Sequence, residues 1–351
     1  MSMQHPASAR PVVAIVGATG AVGVDLIQCP AQRKFPLSDL KLLASARSAG
    51  RFMEFQGRQI PVEELTENSF EGVDIALFSA GSTISRRFAP AAVASAAVVI
   101  DNSSAFRLDA GVPLVVPEIN PQAAFDHAGI IANPNCSTII SITPLWPIHR
   151  INPIRRLVVS TYQAASGAGA AAMDELREST RAYLDNRLFE PRVLPHPYAF
   201  NAFSHNSDVD PQSGYNAEEI KIMRETRKIF GDETMRISAT CVRIPVLRAH
   251  CISVHFECEA PISADEVSGI LQGAAGVKVV DDRQRNYFPM PRDATGQDDL
   301  LVGRIRQDAS DPTGRSVAMF VAGDQLLKGA ALNAVQIAEL LQAKSQVAAM
   351  A

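Results

Sequence analysis

The feature that most constrains this chain is an apolar strand, Val12-Val13-Ala14-Ile15-Val16. It runs without a break into Gly17-Ala18-Thr19-Gly20-Ala21-Val22-Gly23 and then into an amphipathic stretch through Asp25, Leu26 and Ile27. Strand, glycine turn and helix in this order match the first unit of a dinucleotide-binding fold, where glycines let the backbone approach a pyrophosphate resting on the helix N-terminus. The spacing is GxxGxxG rather than GxGxxG, so the turn taken alone also suits a tight bend in any parallel α/β protein. Further apolar runs at 40–44, 74–79, 97–101 and 114–117 add to it. Their near-continuous hydrophobicity is that of a parallel sheet covered on both faces.

Cofactor preference is set at the end of the second strand, where enzymes that use NAD place an acid on the ribose. Here the sequence is Leu43-Ala44-Ser45-Ala46-Arg47-Ser48-Ala49-Gly50-Arg51, with hydroxyls beside Arg47 and no acid. A guanidinium forks onto a phosphate, so the loop favours NADP. Asp101-Asn102-Ser103-Ser104-Ala105-Phe106-Arg107 follows another strand end on the same edge, and Arg107 is a candidate phosphate grip.

A second constellation centres on Asn133-Pro134-Asn135-Cys136-Ser137-Thr138, between the strand-like Gly129-Ile130-Ile131-Ala132 and an apolar helical run from Ile139. A cysteine at a strand-to-helix junction lies near the positive end of the helix dipole, which favours the thiolate. Asn135 and the unpaired first N–H groups of the helix suit an oxyanion formed when that thiolate attacks a carbonyl. A buried cysteine acting as a small hydrophobe is the alternative, and a nucleophile needs a base from elsewhere.

The chain of 351 residues has room for two cores, and its net charge of -4, without a basic block, argues against a nucleic-acid partner. The first apolar run is too short for a signal-peptide core or a membrane span. Five scattered cysteines offer neither a metal-ligand spacing nor a disulfide framework, so no metal is expected and the setting reads as a reducing cytoplasm.

Beyond the cysteine helix, Arg155 to Gln163 reads as a strand, followed by Ala164-Ala165-Ser166-Gly167-Ala168-Gly169 and a long helix. Residues 184–214 form an irregular excursion, in which His196 and His205 read as loop histidines. A charged helix at 217–230 precedes strands at 235–246, 251–259, 277–281, 300–306 and 317–322, with a helix at 263–271. Short connections between them suggest a mixed, largely antiparallel sheet. The best base candidate is His250, in the turn after Arg243-Ile244-Pro245-Val246, although a capping or buried histidine is the commoner reading of such a residue taken alone. A histidine delivers and removes protons near neutral pH, and Arg243 is placed to hold a carboxylate. Glu218 and Lys221, three apart on a helix, suit an ordinary solvated pair. A final helix is expected to return to the nucleotide domain.

In order and spacing the segments GATGAVG (17–23), LLASARSAG (42–50), DNSSAFR (101–107), VPLVVPEIN (112–120), NPNCSTI (133–139), STYQAASGAG (160–169), EEIK (218–221), CVRIPV (241–246) and LLKGAALNAVQIAE (326–339) resemble the aspartate-β-semialdehyde dehydrogenase family over nearly the whole chain. The resemblance implies a Rossmann-type NADP-binding domain over 1–135, completed by a C-terminal helix at 325–351. It also implies an α+β catalytic and dimerisation domain over 136–324. Carried over residue by residue, Cys136 forms the thioacyl intermediate and His250 is the acid/base. Gln163 and Arg243 orient substrate with Glu218, while Arg107 and Lys221 bind phosphate. Thr19, Gly20, Ala21, Val22, Arg47, Ser48, Ser166, Gly167 and Gln325 face NADP.

The implied reaction is NADPH-dependent reduction of aspartyl phosphate to aspartate 4-semialdehyde with release of phosphate, in lysine, methionine and threonine biosynthesis, by a homodimer or homotetramer. Paralogous chemistry on N-acetylglutamyl phosphate or malonyl-CoA is the alternative, with a silent binding paralogue behind it. Two departures from the family pattern stand out: Cys251 occupies a serine place, and Phe200-Asn201-Ala202-Phe203-Ser204-His205-Asn206 lacks the usual proline. Both are expected to alter loop shape rather than chemistry.

Overall fold

A computed structural model describes residues 10–350, so residues 1–9 and 351 of the expected domain spans lie outside it. The chain forms two compact units that divide between Asn135 and Cys136, and the first unit regains the chain at Ala330.

In the first unit, seven strands are ordered β3-β4-β2-β1-β5-β6-β7. They are β1 (Val12–Val16), β2 (Asp39–Ala44), β3 (Phe52–Phe55), β4 (Arg58–Glu64), β5 (Ile75–Phe78), β6 (Val98–Asp101) and β7 (Ile130–Ala132). All pairings are parallel except the β3–β4 hairpin. Helix α1 (Ala21–Gln32) follows β1 and α2 (Ser82–Ala94) follows β5. The order reverses between β1 and β5, and such a switch point opens a crevice at the carboxyl ends of the strands. Residues 13–16 and all of β5 are buried, as the unbroken apolar runs required. The C-terminal helix Leu332–Met350 packs against α1 and β6, which closes this unit.

Two details depart from the sequence reading. The run at 114–117 makes one isolated parallel bridge, Leu114 to Ala132, rather than a strand. Asn120 supplies the reason: its side chain accepts from Val116 N–H at 2.9 Å and donates to the Leu114 carbonyl at 2.9 Å, taking groups a neighbouring strand would use. The β3–β4 hairpin, in turn, is closed by Gln56 (φ 50) and Gly57 (φ 76), a turn with both central residues left-handed but without the usual Asn-Gly signature.

The second unit holds a mixed sheet ordered β12-β13-β14-β11-β8-β10-β9. Its strands are β8 (Ile154–Gln163), β9 (Phe203–Ser204), β10 (Arg236–Arg243), β11 (His250–Cys258), β12 (Val277–Val279), β13 (Leu300–Gln307) and β14 (Ser316–Gly323). Four of six pairings are antiparallel, so the expected mixed, largely antiparallel sheet is what forms. Helices α3 (Cys136–Ile142), α4 (Trp146–Ile151), α5 (Ala170–Leu184), α6 (Ala217–Phe230), α7 (Ala264–Gln272) and the short α8 (Pro291–Ala294) complete it. One face of the sheet and its helices share a core that includes Ile140, Leu157, Ile222, Val254 and Val302. The excursion after α5 is irregular but pinned: buried Glu175 accepts from the N–H groups of Arg192, Val193 and Leu194 at 2.6, 2.7 and 3.0 Å.

Candidate active site

In the first unit, the turn after β1 has the shape of a pyrophosphate cradle. Gly17 has φ 87, and a side chain there would strike the Ser79 carbonyl; one at Gly23 would strike the Gly17 carbonyl. Both positions therefore demand glycine, and the segment from Thr19 to Val22 opens α1 at the carboxyl end of β1. Thr19 donates to Ser48 at 3.4 Å, linking this turn to the loop after β2, where Ser48 is buried and Arg47 exposed. Backbone, hydroxyl and guanidinium groups are thus gathered at the carboxyl edge of this sheet.

Arg107 is buried in the same unit, with Nε donating to the Asn133 carbonyl at 2.9 Å and Nη2 to the Asn102 carbonyl at 2.7 Å. Asn133 is gripped a second time, by Asn333 of the C-terminal helix at 2.6 Å. The loop that begins with Asp101 is held by that residue's buried carboxylate, which accepts from Ser85, from Ser103 N–H and from the Ser103 hydroxyl.

Cys136 opens α3 directly after the Asn-Pro-Asn stretch, and within residues 131–145 it is the one residue that is not buried. The other cysteines are all buried, and burial pushes the thiols of Cys241, Cys251 and Cys258 up to about 12. Cys136 is therefore the one thiol with both solvent access and a helix N-terminus. Gly329, in the π-helical stretch Leu327–Ala331, packs directly on it; a side chain there would lie 2.7 Å from the Cys136 Cβ.

The remaining groups of the second unit converge on Ala164. Its N–H donates to His250 Nδ1 at 3.0 Å and its carbonyl accepts from Arg243 Nη1 at 3.2 Å. His250 is wholly buried as the first residue of β11, just past the turn in which the sequence placed it. Since Nδ1 accepts, the proton of the neutral ring is on Nε2, an atom with no protein partner. Burial, and then the charge of Arg243, push the imidazole down to about 3, so the neutral form persists through neutral pH instead of titrating there. Arg243 is itself buried, ending β10 opposite Gln163.

Gln163 donates through its amide to Ser137 at 3.0 Å, to Thr161 at 3.3 Å and to Glu218 at 3.3 Å, which ties it to the second residue of α3 and to α6. Glu218 also pairs with Lys221 at 3.2 Å and is almost completely buried, so this is not a solvated surface pair. Gly167 lies over both of these side chains, His250 and Arg243: a Cβ there would come within 3.0 Å of His250 Nε2 and 3.1 Å of Arg243 Nη1. Ser166 and Gln325 are joined to one another by a hydrogen bond, and Gln325 accepts from Ala249 N–H at 2.9 Å. Both ends of its amide thus work inside this unit, supporting the residue before His250.

Two family models cover most of the chain: the semialdehyde dehydrogenase NAD binding domain matches residues 12–127, and the semialdehyde dehydrogenase dimerisation domain matches residues 145–328. The chain belongs to the semialdehyde dehydrogenase family. It is 54% identical to the aspartate-semialdehyde dehydrogenase of Synechocystis sp. over 94% of this chain and 96% of that one. Identity to the enzyme of that name from Prochlorococcus marinus is 47% over 98% and 100%. Among solved structures, aspartate semialdehyde dehydrogenase II of Vibrio cholerae complexed with ASA superposes with a TM-score of 0.92, at 43% identity over 95% of this chain and 98% of that one.

Within this family fold, the structure corrects one sequence reading. The 200–206 segment does touch a residue to which the resemblance gives a chemical role: His205 Nε2 accepts from Arg243 Nη2 at 2.9 Å, and Asn206 Oδ1 accepts from Arg243 Nε at 3.2 Å. His205 is thus not merely a loop histidine, whereas His196 is exposed and packs edge-on to Phe203. Sequence reasoning also passed over Tyr198, buried with its hydroxyl donating to the Gln163 carbonyl at 3.4 Å. Cys251 sits buried in β11, beside Tyr162 in register, where a small apolar residue serves as well as a serine. Among the described residues no cluster of three or more His, Cys, Asp or Glu side chains is placed to hold a metal, and no helix is long and apolar enough to cross a membrane.

Proposed function

We propose that this protein is an aspartate-semialdehyde dehydrogenase that reduces L-4-aspartyl phosphate to L-aspartate 4-semialdehyde with NADPH. The observation that carries the proposal is Cys136, the single solvent-reachable residue in an otherwise buried run, in the unit where Gln163, Arg243 and His250 are all held around Ala164. NADP is preferred to NAD because the exposed Arg47 and buried Ser48 stand where an acid would grip the ribose. Of the further residues assigned to the dinucleotide, Thr19, Gly20, Ala21 and Val22 belong to the first unit, and Ser166, Gly167 and Gln325 to the second.

The thiolate of Cys136 attacks the acyl carbon; a C–S bond forms, the C–O bond to phosphorus breaks, and inorganic phosphate leaves. Arg107 and Lys221 are assigned to the phosphate. Arg243 holds the substrate α-carboxylate and Glu218 its ammonium, with Gln163 orienting the acyl group, so that binding at the far end of the substrate fixes the reacting carbon. When bound, the dinucleotide supplies the hydride that reduces the thioester. His250 donates an Nε2–H hydrogen bond to the acyl oxygen as negative charge gathers there, and that oxyanion re-forms its C=O bond as the C–S bond breaks, which frees the aldehyde, restores the thiolate and leaves the proton on His250. The assembly is proposed to be a homodimer or homotetramer working in the cytoplasm, where a catalytic thiol stays reduced.

The test is NADP reduction by the purified protein given aspartate 4-semialdehyde and phosphate. Activity that requires phosphate and is absent in Cys136→Ala supports the reading; no activity, or full activity in that variant, overturns it. N-acetylglutamate semialdehyde and malonate semialdehyde as competing substrates separate the paralogous chemistries, and parallel titrations with NAD and NADP measure cofactor preference.

A further inference from the structure

Arg243 donates to three protein groups: Nε to Asn206 Oδ1, Nη1 to the Ala164 carbonyl and Nη2 to His205 Nε2. A guanidinium carries five N–H donors, so one is left on each terminal nitrogen, the end-on pair that matches the two oxygens of a carboxylate. His205 decides where the Nη2 member of that pair points.

The tautomer of His205 follows from this contact. An arginine can only donate, so Nε2 of His205 accepts and the ring proton is on Nδ1, which faces Ser207 Oγ at 3.1 Å. The Ser207 N–H also donates toward this Nδ1, at 3.2 Å, a longer claim on the same ring that competes with the 2.9 Å contact to a guanidinium which can only donate. Ser207 Oγ in turn donates to Asn216 Oδ1 at 3.4 Å and accepts from Glu218 N–H at 3.1 Å. Asn216 is the N-cap of α6, the helix that carries Glu218 and Lys221. A hydrogen-bonded relay thus runs from the guanidinium to the start of the helix that holds the ammonium and phosphate groups.

Burial, the largest influence, pushes the ring down to about 4; of the charged groups facing it, Glu218 opposes that shift, while Arg243 and Lys221 add to it. His205 therefore remains a neutral acceptor throughout the neutral range. A cation in its place would repel Arg243, and an apolar residue would leave the Nη2 donor to turn away from the substrate.

We infer that His205 is a positioning residue for substrate selection, which orients the end-on donors of Arg243 onto the α-carboxylate of the substrate and couples that grip to the N-terminus of α6. This inference rests on the proposed function. The experiment compares wild type, His205→Leu and His205→Gln with aspartate 4-semialdehyde and with 3-aminopropanal, the analogue in which hydrogen replaces the carboxylate. Thermal melting of each protein is followed alongside.

In His205→Leu the KM for aspartate 4-semialdehyde should rise about tenfold, the effect of one misdirected charge-assisted hydrogen bond. Turnover, the KM for phosphate and the kinetics on 3-aminopropanal should stay near wild type. His205→Gln, whose amide oxygen can accept from Nη2, should recover most of the loss. Equal loss on both substrates, or a loss that tracks melting temperature without rescue by glutamine, overturns the inference. So does an active wild type matched by His205→Leu. A wild type inactive on the semialdehyde overturns the proposed function, and with it this inference.

Discussion

The amide of Ala164 ends on Nδ1 of His250, 3.0 Å away, and this one bond fixes which nitrogen of the buried imidazole carries its proton. A histidine so held is a donor at Nε2, and protonating Nδ1 would set two donors against each other. The expected outcome is an Nε2–H tautomer in 15N spectra of the labelled protein across neutral pH. His250→Gln should lower turnover by roughly 10²–10⁴, while alkylation of Cys136 continues. An Nδ1–H tautomer in the free protein would contradict the assigned role.

The packing of Gly167 over both His250 and Arg243 makes it the position where an added methyl group would press on both side chains at once. In Gly167→Ala the new Cβ meets His250 Cε1 and Nε2 at 3.0 Å. The imidazole is buried and cannot move aside cheaply. A displacement of about 1 Å in such a site costs on the order of 10² in rate, and this contact asks for only a fraction of that shift. We expect kcat/KM to fall by roughly tenfold while the circular dichroism spectrum and melting temperature change little; wild-type kinetics would show that the ring has room to shift.

Buried neutral histidines also set how stability depends on pH. His250 and His205 are held at about 3 and about 4 in the folded protein, against an ordinary value of 6.5. Below 6.5 the unfolded chain takes up protons that the folded chain refuses, so falling pH favours unfolding. Their contribution is fully present above pH 6.5 and is lost as the pH falls toward 4 and then 3. Each histidine adds a slope of up to about 1.4 kcal/mol per pH unit in that window. Urea unfolding between pH 7 and pH 4.5 should show the slope, diminished in His205→Gln. Stability independent of pH over that range would refute the assignment.

The parts of this molecule that were legible in its sequence are those written in short range. β1 and its glycine turn announce themselves because backbone approach at Gly17 and Gly23 excludes every other side chain, and β5 does so through its apolar run. Cys136 was visible by its junction, but that its neighbours are all buried while it is not belongs to packing. His205 reads as a loop histidine in the sequence because its partner is 38 residues away and is brought to it by the antiparallel pairing of Phe203 with Arg243. Likewise 114–117 read as a strand because its apolar run gives no hint that Asn120 will claim its backbone groups.

Asn333 illustrates the same long-range logic in the first unit, where it donates to Asn133 Oδ1 at 2.6 Å and to the Val115 carbonyl at 3.0 Å. Replacing it by leucine leaves these buried acceptors without that donor, at a cost of about 1–3 kcal/mol each at most. Chemical denaturation should show a loss of that order. Because Asn133 also receives Arg107, the KM for phosphate should rise in the same variant. A variant as stable as wild type would mean that other groups take over those acceptors.

The contact between Gly329 and Cys136 gives the last test, because it separates access to the thiol from its chemistry. A side chain at 329 would lie 2.7 Å from the Cys136 Cβ and 3.3 Å from the Gln325 Cβ. Gly329→Ala must therefore push the first residue of α3 or distort the π-helical stretch that carries it. In the native wild type, iodoacetamide should modify Cys136 before any buried cysteine, and Cys136→Ser should abolish that early labelling. In Gly329→Ala, labelling and turnover should slow together, with the fold intact by circular dichroism. If labelling is unchanged while turnover falls, Gly329 acts on the bound substrate rather than on the cysteine; if neither changes, the contact has no part in presenting the thiol.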